Sequence, residues 1–261
     1  MKQFDKYYTK PEIVLFCYKA IKKYIKIRKS DHIIEPSAGN GAFLKVIKKL
    51  SNNYKFYDIK PEHPDIQKKD FLKLKKDKSK NIHIIGNPPF GNKASTAIKF
   101  IKHASLLNAK SISFILPVSF KKPSFQKSFP INYHLVYEKK LPENAFTFQN
   151  SPRNIKTVFQ IWIKKSYPRK ILKKQYPNSW YNFVKKPQCD LSIRRVGFSV
   201  GKIKKCDTND NINTNWFIKL NKNVSLDKLN KVKFNKSNNV GAYSISKQEI
   251  IKKYNKINLI K

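Results

Sequence analysis

The residues best suited to chemistry are Gly86-Asn87-Pro88-Pro89-Phe90-Gly91, directly after the β-branched run Ile82-His83-Ile84-Ile85. Consecutive prolines stiffen the backbone and carry no N–H, so nearby carbonyls face no competing donor. Asn87 adds a side-chain acceptor. An amine conjugated to a purine is a poor nucleophile, because its lone pair is delocalised into the ring. Two acceptors, the Asn87 side-chain oxygen and the Pro88 carbonyl, can take its two hydrogens and leave the lone pair aimed at an electrophile. Phe90 can stack on the base. No strong base is needed, since the amine becomes acidic only after alkylation. The competing reading is a plain proline-rich turn around a core phenylalanine.

Three earlier segments could hold the electrophile. Glu35-Pro36-Ser37-Ala38-Gly39-Asn40-Gly41-Ala42-Phe43 lies between a strand and a helix. Gly39 and Gly41 permit a turn whose backbone comes close to a ligand, at the positive end of the following helix. There is no Lys-Ser/Thr pair of the phosphate-loop kind. Glu35 just before the turn suits a ligand with a positive centre and an amine better than a pyrophosphate. Asp58 follows Gly39 by 19 residues, at the end of the next strand. A carboxylate at about that distance can accept both ribose hydroxyls of a nucleoside. Asp70-Phe71 could bind an adenine amino group and pack its ring; Asp70 is equally a helix N-cap.

Taken together, these segments resemble the S-adenosylmethionine-dependent amino-methyltransferases of the N6-adenine type, which carry an Asn-Pro-Pro-Phe motif. EPSAGNGAF is similar to the family's cofactor loop, covering Glu35, Pro36, Ser37, Ala38, Gly39 and Gly41. Asp58 and Asp70-Phe71 resemble its ribose and adenine contacts. The stretch from Phe4, Asp5 and Lys6 to Pro11 is similar to the N-terminal cofactor motif, whose aromatic-Thr pair corresponds to Tyr8 and Thr9. The motif order is that of the γ-type members. The resemblance spans roughly residues 1–165. It implies S-adenosyl-L-methionine as cofactor, and Asn87, Pro88, Pro89 and Phe90 as the catalytic motif. It also implies a Rossmann-like, doubly wound seven-stranded sheet whose last strands form a reversed hairpin, with His134–Tyr137 and Thr157–Ile163 as candidates. Motifs of this kind serve adenine in DNA, adenine in RNA and glutamine in protein.

The elements that would position these residues alternate in type. Short strands are expected at His32–Glu35, Tyr54–Asp58, Ile82–Ile85 and Ser111–Leu116. Helical spacing runs over Ala42–Leu50 and Thr96–Leu107. Strands separated by helices imply an α/β fold with a parallel sheet and ligands at the strand C-terminal ends. Past Lys164 the pattern breaks into short pieces, read as Leu191–Val200, Asn215–Leu220, Val240–Ile245 and a closing helix at Ser246–Tyr254. The expected division is a catalytic domain over 1–165 and an accessory, target-recognition region over 166–261. Trp180-Tyr181 and Trp216-Phe217 are expected to form that region's core rather than to stack bases.

The charge selects among substrates. There are 56 Lys+Arg against 16 Asp+Glu, a net +40, which makes a polyanion the default partner and a protein substrate an awkward one. Only five of the basic residues are arginine. Abundant Lys, Asn and Ile match an AT-rich coding sequence, so part of the excess reflects composition. Lys121, Lys122, Arg153, Arg194 and Arg195 are the candidates for gripping a strand. The adjacent arginines are notable because Arg reads phosphate and guanine better than Lys does. The reading is therefore adenine-N6 methylation in nucleic acid, DNA ahead of RNA. Protein glutamine methylation and a non-catalytic nucleic-acid-binding module remain as alternatives. Cys17, Cys189 and Cys206 are few, odd in number and far apart, and no Cys/His cluster has zinc spacing. The expectation is reduced thiols, no metal, no membrane segment and an intracellular location without secretion.

Overall fold

In the computed structural model, residues 7–76, 81–148, 151–153, 155–171, 173–234 and 243–257 are described. Phe4, Asp5 and Lys6 of the N-terminal motif lie outside them, as does the side chain of Arg153. The chain divides into two compact units, Met1–Lys170 and Ile171–Lys261.

The first unit begins with β1 (Tyr8–Thr9) and α1 (Pro11–Tyr24). Pro11 opens α1, where its missing N–H costs nothing. Ile13, Val14, Cys17, Ala20 and Ile21 recur at helical spacing and form its buried face, and Lys22 and Lys23 sit at its negative end. Then follow β2 (His32–Glu35), α2 (Leu44–Leu50), β3 (Asn53–Asp58), β4 (Gln67–Lys68), β5 (Ile82–Gly86), α3 (Ser95–Leu106) and β6 (Ser111–Pro117). After α4 (Pro123–Gln126) come β7 (Tyr133–Lys140), β8 (Phe146–Phe148), β9 (Ser151–Arg153) and β10 (Thr157–Lys164).

Seven strands form the central sheet in the order β4-β3-β2-β5-β6-β10-β7. The first five run parallel. β10 is antiparallel to both β6 and β7, the reversed hairpin that the family resemblance implies. Every residue of β5 and β6 is buried, as expected of strands covered on both faces. Alternation sends Ile85 and Ile115 into the core under α1 and α2, and Ile84 and Phe114 into the core under α3.

Two polar clusters, the first buried and the second part-buried, fasten this unit. At the start of the central strands, His83 Nδ1 lies 2.7 Å from Ser111 Oγ, and its Nε2 lies 3.4 Å from Asp31 Oδ2. Burial pushes the His83 imidazole below its ordinary range, against the opposing pull of Asp31. At the end of the unit, Arg169 donates to the carbonyls of Pro130, Tyr133, Gln126 and Phe129 at 2.5–3.1 Å, and its guanidinium lies over the Trp162 ring.

A small antiparallel sheet, β1-β8-β9, lies outside the sequence reading. It pairs Tyr8 with Thr147 and Thr9 with Phe146, which anchors the N-terminal motif. Helix α1 is also absent from that reading.

The second unit is built on β11 (Tyr181–Phe183), β12 (Leu191–Arg194), β13 (Ile203–Lys205) and β14 (Asn215–Leu220), paired antiparallel in the order β11-β14-β12-β13. It also contains α5 (Leu226–Asn230) and α6 (Lys247–Tyr254). The expected strand over Leu191–Val200 stops at Arg194. Ser246 caps α6 in a full capping box with Glu249. Trp180, Tyr181 and Ile218 are core, and Trp216 packs at its edge with its indole N–H on the Ile245 carbonyl. The expectation of three reduced thiols is corrected here, because Cys189 and Cys206 form a disulfide. The register explains it. Leu191 pairs with Lys205, which puts Cys189 and Cys206, 17 residues apart in sequence, just beyond the paired ends of β12 and β13, with their Cα atoms 6.0 Å apart. Cys17 remains a buried free thiol.

Candidate active site

Because β2, β3, β5 and β6 are parallel, the loops after their C-terminal ends leave the sheet along one edge. Those loops carry the singled-out segments. They frame a cavity of about 870 Å³, a volume typical of small-molecule sites. Tyr8, Pro36, Ser37, Gly39 and Asp58 line one side. Asp70 and Phe71 line another, and Asn87, Pro88, Pro89 and Phe90 a third.

The glycine turn is built as its sequence requires. Gly39 and Gly41 hold φ of +54° and +86°. Asp58 braces the turn by accepting from the Gly39 N–H at 2.8 Å, while its other oxygen accepts from the Lys60 N–H at 2.8 Å. Its carboxylate thus both fixes the loop and faces the cavity.

Thr9, Glu35, Ala38 and Gly41 lie off the cavity wall. Glu35 is 2% exposed beneath the loop, and among the described residues its Oε2 has no hydrogen-bond partner. Burial pushes its carboxyl well above the ordinary carboxylate range, and the charge of Asp58 adds to the rise. Asp70 does what an N-cap does, accepting from the Leu72 N–H at 2.9 Å. The Phe71 ring packs on Phe100 and His103, so it is a core residue that reaches the cavity.

Asn87 joins three motifs. Its side-chain amide donates to Thr9 Oγ1 at 3.3 Å, and its backbone carbonyl accepts from Ser37 Oγ at 3.1 Å. Its Oδ1 is buried and, among the described residues, accepts no hydrogen bond. The carbonyl of Phe90 accepts from the N–H groups of Thr96 and Ala97, which ties the motif to the first turn of α3. Gly91 sits at φ +68°, and a Cβ there would come within 2.2 Å of Thr96 Oγ1. Lys93 and Ala94 follow in the left-handed region at φ +50° and +61°, strain that a non-glycine residue holds only where its surroundings enforce it.

The residues proposed to grip a strand are dispersed. Lys121 and Lys122 lie just past β6, on the cavity's edge of the sheet, with Lys121 3.4 Å from Glu138. Arg194 and Arg195 belong to the second unit, where Arg195 stacks on the Trp216 ring at 4.3 Å. Sequence reasoning missed Glu62, whose carboxylate accepts from the Tyr8 hydroxyl at 2.6 Å on the cavity wall. The available signal was a second carboxylate four residues beyond Asp58 in an acid-poor chain.

Residues 26–173, more than half of the chain, match the EDM2 methyltransferase-like domain. The chain belongs to that family. Among solved structures the chain is similar to the 23S rRNA methyltransferase ErmE and to a dimethyladenosine transferase from Plasmodium falciparum. ErmE is 13% identical, with 64% of this chain and 72% of that one covered and a TM-score of 0.47. The Plasmodium protein is 16% identical, covering 61% and 64%, with a TM-score of 0.44. No curated protein matches the chain by sequence.

A methyltransferase of this fold takes its methyl group from S-adenosylmethionine, and the residues present fit that cofactor. Asp58 puts a carboxylate on the cavity wall, Glu35 holds beneath the loop a buried oxygen that has no hydrogen-bond partner among the described residues, and the cavity has the volume. Among the described residues no cluster of His, Cys, Asp or Glu could hold a metal ion, and no helix is long and apolar enough to cross a membrane.

Proposed function

We propose that this methyltransferase-like domain transfers a methyl group from S-adenosylmethionine to the N6 amine of adenine in nucleic acid. The observation that carries the reading is the buried, unengaged Oδ1 of Asn87 beside the diproline on the cavity wall. Its orientation is already set. Thr9 takes the amide N–H, which leaves the oxygen as acceptor, and Ser37 holds the Asn87 carbonyl.

In this reading Glu35 holds the amino-acid end of the cofactor and Asp58 the ribose. Asp70 and Phe71 border the cofactor's adenine. The cofactor supplies an electrophilic methyl group when bound. Asn87 Oδ1 and the Pro88 carbonyl accept the two hydrogens of the target amine, and Phe90 stacks on the target base. Held in this way, the nitrogen lone pair would face the methyl group that the bound cofactor would supply, the thioether being the leaving group. The methylated nitrogen is briefly cationic and acidic, and its extra proton leaves to water. Thr9 and Ser37 are positioning residues. The net +40 charge favours a nucleic-acid substrate over a protein one. A base that starts in a duplex must first be flipped out, at a cost of a few kcal/mol.

The test is transfer of labelled methyl to duplex DNA, single-stranded DNA, total RNA and ribosomal protein, followed by digestion and identification of the product. N6-methyladenosine or its deoxy form is expected. Label confined to protein overturns the reading. Asn87→Ala should lower transfer roughly a hundredfold or more while cofactor affinity is kept. Loss of both would mean that the variant had failed to fold.

A further inference from the structure

The second unit holds a cavity of its own, of about 570 Å³, on the outer face of the β12–β13 hairpin. The register dictates its lining. Ile193 pairs with Ile203, and both point into the core. Alternation turns Ser192, Arg194, Lys202 and Lys204 to the other face, and all four line the cavity. The same alternation parts the two adjacent arginines. Arg195 turns to the core face, where its guanidinium lies over the Trp216 ring.

The cations on the outer face are unequally compensated. Lys204 is 3.0 Å from Asp210 and 3.8 Å from Asp207. Among the described residues, neither Arg194 nor Lys202 pairs with a carboxylate. Arg194 is nevertheless held in place. Its Nε donates to the Val196 carbonyl at 3.1 Å and its Nη1 to Thr214 Oγ1 at 2.8 Å. A guanidinium carries five N–H groups, so three are left without an acceptor among the described residues, both of those on Nη2 included. Its plane is already set, so it has lost the freedom that binding an anion would cost it. The Arg194 N–H donates to the Lys202 carbonyl at 2.8 Å, and the Gly201 N–H donates to the Arg194 carbonyl at 2.8 Å. These two bonds keep Lys202, whose side chain is exposed, beside the arginine. A fixed fork with donors to spare next to an exposed ammonium suits an anion that carries several oxygens on one centre.

We propose that this cavity binds a phosphate of a nucleic-acid backbone, held by the unspent N–H groups of the Arg194 guanidinium and by the Lys202 ammonium. The guanidinium donates to two phosphate oxygens and the ammonium adds charge, so the contact positions the strand and reads no base. The inference rests on the reading above only in taking nucleic acid as the partner.

The test titrates the full chain with fluorescent oligouridine over a range of salt, with fluorescent polyglutamate as the carboxylate control. Lys202→Gln, at an exposed position, should keep the parent's melting temperature and lower the oligouridine salt slope by about 0.7, the loss of one phosphate contact. Arg194→Lys keeps the charge but not the fork, and should weaken oligouridine binding roughly tenfold. Arg195→Gln removes a charge from the opposite face of the same strand and should leave the slope at the parent's value. A Lys202→Gln slope equal to the parent's overturns the inference, as does an equal drop in Arg195→Gln. Polyglutamate binding that falls as far as oligouridine binding in Arg194→Lys also overturns it. Calorimetry with inorganic phosphate separates a backbone phosphate from a free one. Phosphate that binds the parent but not Lys202→Gln, with an unchanged oligouridine slope, assigns the cavity to a free phosphate and overturns the backbone contact. Methyl transfer is scored separately. A slope that depends on Lys202 without transfer to any nucleic acid upholds this site and removes the proposed reaction. Transfer with a slope that Lys202→Gln leaves unchanged does the reverse.

Discussion

Arg169 and Arg194 are two of the five arginines in a chain whose basic residues are mostly lysine, and the two units use them differently. In the first unit Arg169 gives its guanidinium to four backbone carbonyls and a tryptophan ring. In the second, Arg194 makes two bonds that set its plane and, among the described residues, has no carboxylate partner. Among the described residues of the first unit, the buried side-chain atoms without a hydrogen-bond partner are Glu35 Oε2, Asn87 Oδ1, His103 Nε2, Ser113 Oγ and Thr157 Oγ1, and the first two belong to the motifs of the proposed chemistry. The second unit keeps its cations at the surface and is closed by a covalent bond between β12 and β13. A guanidinium saturated by backbone carbonyls has become a brace, whereas one held by two bonds keeps donors to spare.

The contrast can be broken most sharply at Arg169. Arg169→Lys keeps the charge, but one ammonium cannot reach four carbonyls in different directions. Stability should fall by roughly 3–4 kcal/mol, with faster amide exchange over residues 126–133. A loss within experimental error would mean that the arginine is only a surface charge. Next comes the disulfide. Replacing Cys189 and Cys206 together by serine should cost about 3 kcal/mol, the entropy of a loop of this length. Faster exchange should be confined to the second unit, and exchange that rises across β5 and β6 instead would contradict the contrast.

Glu35 gives a pH test. Its carboxyl is raised in the free protein, first by burial and then by Asp58. A bound ammonium favours the ionised form, so binding releases a proton. Cofactor affinity should therefore climb as pH rises toward the raised value, by at most roughly tenfold per pH unit. Calorimetry in buffers of different ionisation heat counts the proton. A flat profile that Glu35→Gln leaves unchanged would remove Glu35 from the cofactor site. The smallest effect is expected at Lys93, exposed and left-handed at φ +50°. Lys93→Gly should relieve about 1 kcal/mol of strain and raise the melting temperature. A decrease would show that the lysine side chain contributes to folding.

Much of the first unit was legible because its central strands are buried on both faces and so appear as apolar runs ended by Pro or Gly. The Asn87 motif, Asp58 and the glycine turn were legible because each sits where such a run stops. Three features were hidden for physical reasons. β8 and β9 are three residues each, too short for a period to show. The Cys189–Cys206 bond depends on a register that spacing does not encode. Arg169 sits in a basic stretch whose composition gives no sign that one of its cations points inward. The proposed roles of Glu35 and Thr9 illustrate a further gap. Type and spacing can nominate a residue without saying whether it stands on the cavity wall or behind it.

The Asp31–His83–Ser111 cluster has one more implication. By residue type and order it matches the relay that hydrolases use to activate a serine, yet it sits at the opposite end of the strands from the large cavity and is sealed from solvent. A fluorophosphonate probe should leave Ser111 unlabelled in the folded protein, because an acyl group has no route to it. Three-residue geometry alone would class this chain as an esterase, and access is the property that separates a working relay from a buried brace.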